Sequence, residues 1–502
     1  MDRRTFLKLT TVSLAGLSPL AKLELLHAKG ISAEQLGTSA PAKGFVLPRS
    51  EAITISLSDL FKVGPGPSSS HTIAPLRIAA DFLQALENLP TETIRPAQAL
   101  EVRLYGSLSA TGRGHHTDRA IIAGLLGEKP ETCNTSLMDA LGDTTKSYSA
   151  TIQGKKFTIH HGMIVWDVVE HNLPFANTMV MRLLAADGSS LFEREYYSTG
   201  GGFFQWKGQP PAQRGKPLYQ YNSMESFRRI LTDHGKTLDE VMLANEMAIM
   251  GVDAATVMTR LDLIIATMEN SVKQGLAEEG LIPAPFEFHR KAKLIYEKSL
   301  GEESASRFMK QLSSYALAVS EGNACGRLAV TAPTLGSAGT MPAVLHMMKH
   351  HLNMPQEALR SGLLAGGLVG FLCKTNASVA GAEVGCQGEI GVASAMAAAM
   401  LAHASGADID TTEVAATMAL EHHLGMSCDP VGGFVLIPCI ERNAFGAVKA
   451  YNSYLIASTE LTSQHWEDLD RVIAAMLQTG QALPAAFRET GAGGLGSSMV
   501  NC

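Results

Sequence analysis

The chain has 502 residues, more than one hydrophobic core normally organises, so two or three domains are expected. Hydrophobic residues make up 46% and charged residues 18%, the balance of a large, well-buried globular protein, and the net charge of −7 leaves no basic footprint for nucleic acid. Seven cysteines are too few for a disulfide scaffold, and the odd number leaves at least one thiol unpaired within a monomer.

The N-terminal stretch MDRRTFLKLTTVSLAGLSPLA carries Arg3-Arg4, then Phe6-Leu7-Lys8 and a mildly apolar run from Leu9 to Leu20. It resembles a twin-arginine export signal, a route that carries folded and often cofactor-loaded proteins to the periplasm. Without export the protein is expected in the cytoplasm. Residues 1–30 are read as this signal. Residues 31–50, with Pro41, Gly44 and Pro48, are read as a linker. No membrane span is expected: the best internal apolar run, LLAGGLVGFL, falls well short of the roughly 20 residues a membrane helix needs.

Residues 51–205 have a mixed texture. EVRLYGSL and KKFTIHHGMIVWDVV alternate β-branched or aromatic with polar residues, as strands do. RIAADFLQALENL and RAIIAGLLG have helical spacing. An α/β domain is predicted here. Two loop–helix junctions in it are rich in polar groups. KVGPGPSSSHTIAPLRIAADFLQAL runs from a Gly-Pro loop through Ser68, Ser69, Ser70, His71 and Thr72 into a helix, with Pro75 in the first turn. Hydroxyls and free N–H groups at a helix start suit a carboxylate or phosphate. One serine would serve as a cap; three and a histidine exceed that need. GRGHHTDRAIIAGLLG repeats the arrangement, with His115 and His116 before a helix that Thr117 could cap. His71, His115 and His116 are therefore candidates for a general base.

Residues 206–224, rich in Pro, Gly and polar groups, mark a boundary. From 225 to 502 the period is almost entirely helical, so the fold class is α+β: an α/β domain followed by a largely all-α domain. SGLLAGGLVGFLC and EIGVASAMAAAMLAHA are full of Ala and Gly, which predicts closely packed, buried helices. Cys386, Cys428 and Cys439 fall at helix ends or in loops, beside Gly or Pro. Freed backbone N–H groups there suit the sulfur ligands of an iron–sulfur cluster. Their wide sequence separation is not a compact Cys-x-x-Cys run, and buried free thiols remain an alternative. Cys325 and Cys373 sit in apolar helical sequence and are read as core thiols.

DLFKVGPGPSSSHT, YGSL…TGRGHHTD, YYSTGGGF, VTAPTLGSAGTMPAVL, NASVAGAEVGCQGEIGVA and EHHLGMSCDPVGGFVLIPCIERNAFGAVKA follow one another along the chain. Together they resemble the iron–sulfur L-serine dehydratases (L-serine ammonia-lyases) in their single-chain form. The resemblance implies that Cys386, Cys428 and Cys439 hold a [4Fe–4S] cluster with one iron free of protein thiolate during turnover. It implies a substrate loop at Ser68, Ser69, Ser70, His71 and Thr72, with His115 and His116 nearby. L-Serine would lose water to give aminoacrylate, which tautomerises and hydrolyses to pyruvate and ammonia. Two positions depart from the family pattern: Leu335 stands where Asn is usual, and Phe175-Ala176-Asn177 stands for His-Pro-Asn, so His171 is a candidate replacement. L-Threonine or L-cysteine as substrate, and a non-catalytic cluster-binding sensor, are the alternatives.

The last residues, GAGGLGSSMVNC, read as a flexible tail ending in Cys502. A terminal cysteine sets a thiol and a carboxylate in the same relation as the hydroxyl and carboxylate of serine. Cys502 is therefore expected to reach the open iron when substrate is absent. A homodimer is the expected assembly.

Overall fold

A computed structural model of the chain describes residues 52–169, 171–210, 214–303 and 305–499. The export signal at 1–30, the linker at 31–50 and Cys502 lie outside the described residues. The architecture is the expected one: a sheet-containing region comes first and a largely helical region follows. No described helix is long and apolar enough to cross a membrane.

In the first region, β1 (Val63–Pro65) stands apart from the main sheet. Five strands, β2 (Ala97–Leu104), β5 (Ile164–Trp166), β6 (Thr178–Ala185), β7 (Ser190–Ser198) and β8 (Phe204–Trp206), form one sheet in the order β5-β2-β6-β7-β8. Only β2 and β5 pair in parallel; the others run antiparallel, with Val102 opposite Met181 and Val180 opposite Glu195. β3 (Ser147–Ile152) and β4 (Lys155–His160) make a separate hairpin. The KKFTIHHGMIVWDVV run is thus two strands split by a short turn, His161–Met163, not one. Helices Ala74–Glu87 and Thr117–Leu125 share a core with the sheet through Leu76, Phe82, Ile121, Leu104 and Met181.

The helical region has its own core, which also takes in Leu57, Leu60, Phe61 and Ile73 from the first region. At its centre lies helix Ile390–Ala404, whose residues 390–402 are all buried. Ala and Gly explain how it can be enclosed. Along the neighbouring helix Gln356–Asn376, Gly362 and Gly366 lie one turn apart. A Cβ on Gly362 would come within 2.7 Å of the Met400 carbonyl oxygen, and one on Gly366 within 3.0 Å of that of Met396. These glycines let two helix backbones approach closely, with a helix-propensity cost of about 1 kcal/mol each relative to Ala.

The two regions are tied together. β1 pairs antiparallel with β9 (Leu328–Val330), Val63 facing Val330. Asn323, on helix Ala305–Ala324, donates from Nδ2 to the carbonyls of Pro67 (2.8 Å) and Leu335 (3.1 Å). The Gly-Pro-Ser loop therefore lies against the loop that contains Leu335 and Gly336. Leu335 itself is 1% exposed and packs in the helical core.

Candidate functional site

The chain makes a π-helical turn at Ser69–Ile73 before helix Ala74–Glu87. Pro75 has no N–H, so the carbonyl of His71 lacks its usual helical partner. The hydroxyl of Thr117 takes that place, donating to His71 O at 2.7 Å, and Thr72 reciprocates by donating to His115 O at 2.7 Å. These two bonds stitch both helix starts together and bring the His71 and His115 rings to 4.5 Å between centroids. Thr117 is thus a tie and not a cap. Ser68 caps the first turn by accepting from His71 N at 3.2 Å.

The hydrogen bonds decide which ring nitrogens carry protons. Ser107 donates to Glu489 O (2.6 Å) and Thr111 to Ser107 O (3.0 Å). Both hydroxyl oxygens also face His71 Nε2, at 3.1 and 3.2 Å. Their protons are committed elsewhere, so His71 Nε2 must be the donor. His71 Nδ1 then accepts from Ser70 Oγ at 2.8 Å. His115 is the opposite tautomer: its Nδ1 donates to Thr111 O at 2.7 Å, leaving the lone pair on Nε2. Burial, reinforced by His115, holds His71 well below the usual histidine range. Burial likewise pushes His115 down to about 4. Both rings are therefore neutral near pH 7.

A small cavity is lined by Ser68, His115, Cys386, Cys428, Cys439 and Glu489, with Gly336, Glu389, Ile390, Pro430 and Val435 completing its wall. Cys386 opens a 3₁₀ turn, Cys386–Gly388, just before the buried helix Ile390–Ala404. Cys428 sits in an extended loop. Cys439 is the first residue of helix Cys439–Ala457, after Pro438. All three thiols are buried. Cys386 Sγ, Cys428 Sγ and a Glu389 carboxyl oxygen lie within 4.8 Å of one another. Asn443 braces the wall, donating to Gly336 O (2.8 Å) and Cys439 O (2.9 Å) while accepting from Gly339 N (2.8 Å).

The donor set fits a cationic cluster. A hydrogen bond with Cys386, then burial, raises Cys428 well above the usual thiol range; burial, then Cys386, does the same to Cys439. Burial and Glu489 push the Glu389 carboxyl up to about 8, and burial and Cys386 push Glu489 up to about 8. Thiols and carboxyls packed this way suppress one another's ionisation. Positive charge at their centre relieves the conflict and lets thiolates form. Arg442, on the Cys439 helix, adds a fixed cation: burial lowers its pKa, but the neighbouring cysteines outweigh this and raise it. It donates to Ser427 O at 2.7 Å.

Among the other predicted residues, Ser69 and Ser70 are buried in the turn, but only Ser68 of that loop lines the cavity. Thr72 is committed to His115 O. His116 lies behind His115 in left-handed backbone (φ 57°) and does not line the cavity. His171 is outside it too: its Nδ1 accepts from Leu173 N at 3.1 Å, and its ring meets Tyr105 edge-on. Phe175 packs against Tyr197 with the rings tilted by 36° and their centroids 4.8 Å apart. Cys373 is fully buried, while Cys325 is half-buried and accepts from Arg290 at 2.9 Å.

The sequence reading missed Glu389, Glu489, Ser107 and Thr111. Glu389 follows Cys386 inside a motif already singled out, which was a usable signal; Glu489 had none. The stretch before the C-terminus also differs from the expected slack tail. Cys428 N donates to Phe487 O (2.8 Å), and Glu489 N donates to Cys428 O (2.7 Å). Leu495 N donates to Asp429 Oδ2 (2.8 Å), and a short helix spans Gly494–Ser498. The glycines permit this close apposition, as at Gly491 (φ 65°) against Pro430 O.

The family model described as Serine dehydratase alpha chain matches residues 233–496, and the one described as Serine dehydratase beta chain matches residues 56–209. The L-serine dehydratase of Haemophilus influenzae is 38% identical over 462 residues, covering 89% of this chain and 99% of that protein. That of Streptomyces coelicolor is 38% identical over 468 residues, covering 90% and 100%. L-serine dehydratase 1 of Escherichia coli is 37% identical over 466 residues, covering 89% and 100%. The chain belongs to the serine dehydratase family, with the beta-chain part preceding the alpha-chain part in one polypeptide.

Proposed function

We propose that the protein is an L-serine dehydratase that converts L-serine to pyruvate and ammonia and holds a [4Fe–4S] cluster on Cys386, Cys428 and Cys439. The observation that carries this reading is the convergence of three thiols, His115 and Ser68 on one cavity. The names of the relatives support the substrate. A cluster held on these thiols would supply Lewis-acid chemistry that makes the β-hydroxyl a better leaving group.

The chain's own groups do the remaining work. Ser68 and the start of the π-helical turn hold the substrate carboxylate. His115 Nε2 takes the α-proton. The electron pair of that C–H bond forms the Cα–Cβ double bond as the β-hydroxyl departs, so one water is lost. The aminoacrylate tautomerises to an imine, which water hydrolyses to pyruvate and ammonia. His71, with both ring nitrogens bound within the protein, and Thr72, bound to His115 O, are positioning residues. Cys502 is assigned as a resting-state ligand. The tie from Leu495 to Asp429, the residue after Cys428, supports this. Beyond the short helix that ends at Ser498, the remaining residues to Cys502 can reach at most about 14 Å.

The test is pyruvate release from L-serine by anaerobically purified protein, with iron and sulfide measured per chain. The unmodified chain is expected to form pyruvate, and Cys386→Ser to lose both its iron and pyruvate formation. A preparation with its iron in place that forms no pyruvate would overturn the assignment, and pyruvate formation without iron would overturn the cluster. No observation favours L-threonine, L-cysteine or a sensor role over this reading.

A further inference from the structure

A second cluster of ligating side chains lies on other elements, where helix Ala254–Ala277 meets helix Thr340–His350. Glu269 comes from the first helix. His346 and His350, one turn apart, come from the second. His346 Nδ1 lies 2.9 Å from Glu269 Oε1, and His350 Nε2 lies 2.7 Å from Glu269 Oε2. The three ligand atoms lie within 4.8 Å of one another. None of these residues lines the cysteine cavity.

Charge and geometry both point to a cation. The Glu269 side chain is 3% exposed, and its two oxygens face two imidazoles. The nearest ammonium, Lys349, stands 3.7 Å away on a side chain that is itself 37% exposed. Tyr315 and His351 also face the cluster, and the Arg307 guanidinium acts on both of them from farther out. Tyr315 packs edge-on against His346 at 4.5 Å, and His351 Nε2 meets Tyr315 Oη at 2.9 Å. Neither supplies a compensating charge when neutral.

Two imidazoles at i and i+4 on one helix, with a carboxylate from another, form an N,N,O set suited to zinc. Zinc–ligand bonds of about 2.0–2.2 Å place tetrahedral ligand atoms about 3.3 Å apart, so atoms already within 4.8 Å of one another need to close by no more than about 1.5 Å. His350 is 40% exposed, which leaves an entry path and room for a water as fourth ligand.

We propose that Glu269, His346 and His350 bind one divalent transition-metal ion, zinc by donor chemistry, which clamps the two helices together. Binding uses the lone pairs of His346 Nδ1 and His350 Nε2. Each neutral ring then carries its proton on the other nitrogen, and an imidazolium would release one proton.

The test titrates the full chain, purified anaerobically, with zinc, following bound metal by equilibrium dialysis and elemental analysis. One zinc per chain beyond any iron is expected, with affinity reduced about tenfold or more in Glu269→Gln and His350→Ala. His350 is half-exposed, so its variant is expected to fold and to keep pyruvate formation. Zinc should raise the Tm of the unmodified chain but not that of His350→Ala. Cobalt in place of zinc should give a visible spectrum without a thiolate charge-transfer band, which separates this site from the cysteines. No stoichiometric zinc, equal binding by both variants, or a sulfur-type cobalt spectrum would overturn the proposal.

Discussion

His71 and His115 pack side by side with their rings tilted, yet their hydrogen bonds give them different tasks. Thr111 O holds the Nδ1 proton of His115 and leaves Nε2 as a base, whereas His71 donates from Nε2 and accepts at Nδ1. His115→Asn is expected to lower kcat about 10²–10⁴-fold, the range for losing a general base, while iron content stays unchanged. Steady-state kinetics beside iron analysis would check this, and a near-normal kcat would transfer the role elsewhere. Cys502→Ser is expected to shorten the life of the cluster absorbance in air without lowering initial anaerobic turnover. An unchanged bleaching rate would remove Cys502 from the cluster.

At the scale of elements, helix Ala74–Glu87 and helix Thr117–Leu125 carry the serine turn and the histidine turn at their N-terminal ends. Their spacing is set partly by Gly124, where a Cβ would run into the Leu76 carbonyl oxygen and the Ala79 side chain. On an exposed helix, Gly→Ala gains about 1 kcal/mol. Here the backbone obstacle should reverse the sign. Gly124→Ala is expected to destabilise by about 1–3 kcal/mol, as overpacking does. It should also reduce turnover by parting Ser68 from His115. Urea unfolding and kcat on the same preparation would test both effects, and a more stable, fully active variant would refute the packing argument.

Across the whole molecule, the described residues form one compact unit, and the cavity draws on distant parts of it. Ser68 and His115 come from the beta-chain part, the cysteines from the alpha-chain part, and Glu489 from near the C-terminus. Glu246 is one of the long-range ties, accepting from Leu57 N at 2.8 Å. Burial pushes its carboxyl up to about 7 from an ordinary 4.5. The folded chain therefore binds a proton that the unfolded chain has already released. That stabilisation is full below about pH 4.5 and is lost as pH rises through 7. Glu246→Gln keeps an acceptor for Leu57 N and removes the titration. It is expected to flatten Tm between about pH 5 and 8 and to be more stable than the parent at pH 8 by about 1–3 kcal/mol. Thermal melts across that range would show it, and parallel curves for the two proteins would count against it.

Periodicity and local chemistry are written in neighbouring residues, so the sequence by itself determined what depends on them. EIGVASAMAAAMLAHA reads as a helix closed in on all sides because only small side chains allow such contacts, and it is one. The Pro75 junction and the positions of Cys386 and Cys439 beside turns were legible for the same reason. The grouping of the cysteines came from the family resemblance and not from their spacing. Only the tertiary structure decided which histidine faces the cavity, since His115 and His116 are adjacent and chemically alike. That choice rests on bonds from Thr72 and Thr117 that cross between the two helix starts, and on the bond that His115 Nδ1 donates to Thr111 O. It also decided that the glycine-rich stretch before the C-terminus packs on the Cys428 loop, and that Glu489 joins the thiols. Hydrogen bonds between residues hundreds of positions apart, such as Ser107 to Glu489, leave no trace in local pattern because their energy is realised only once both segments have been brought together.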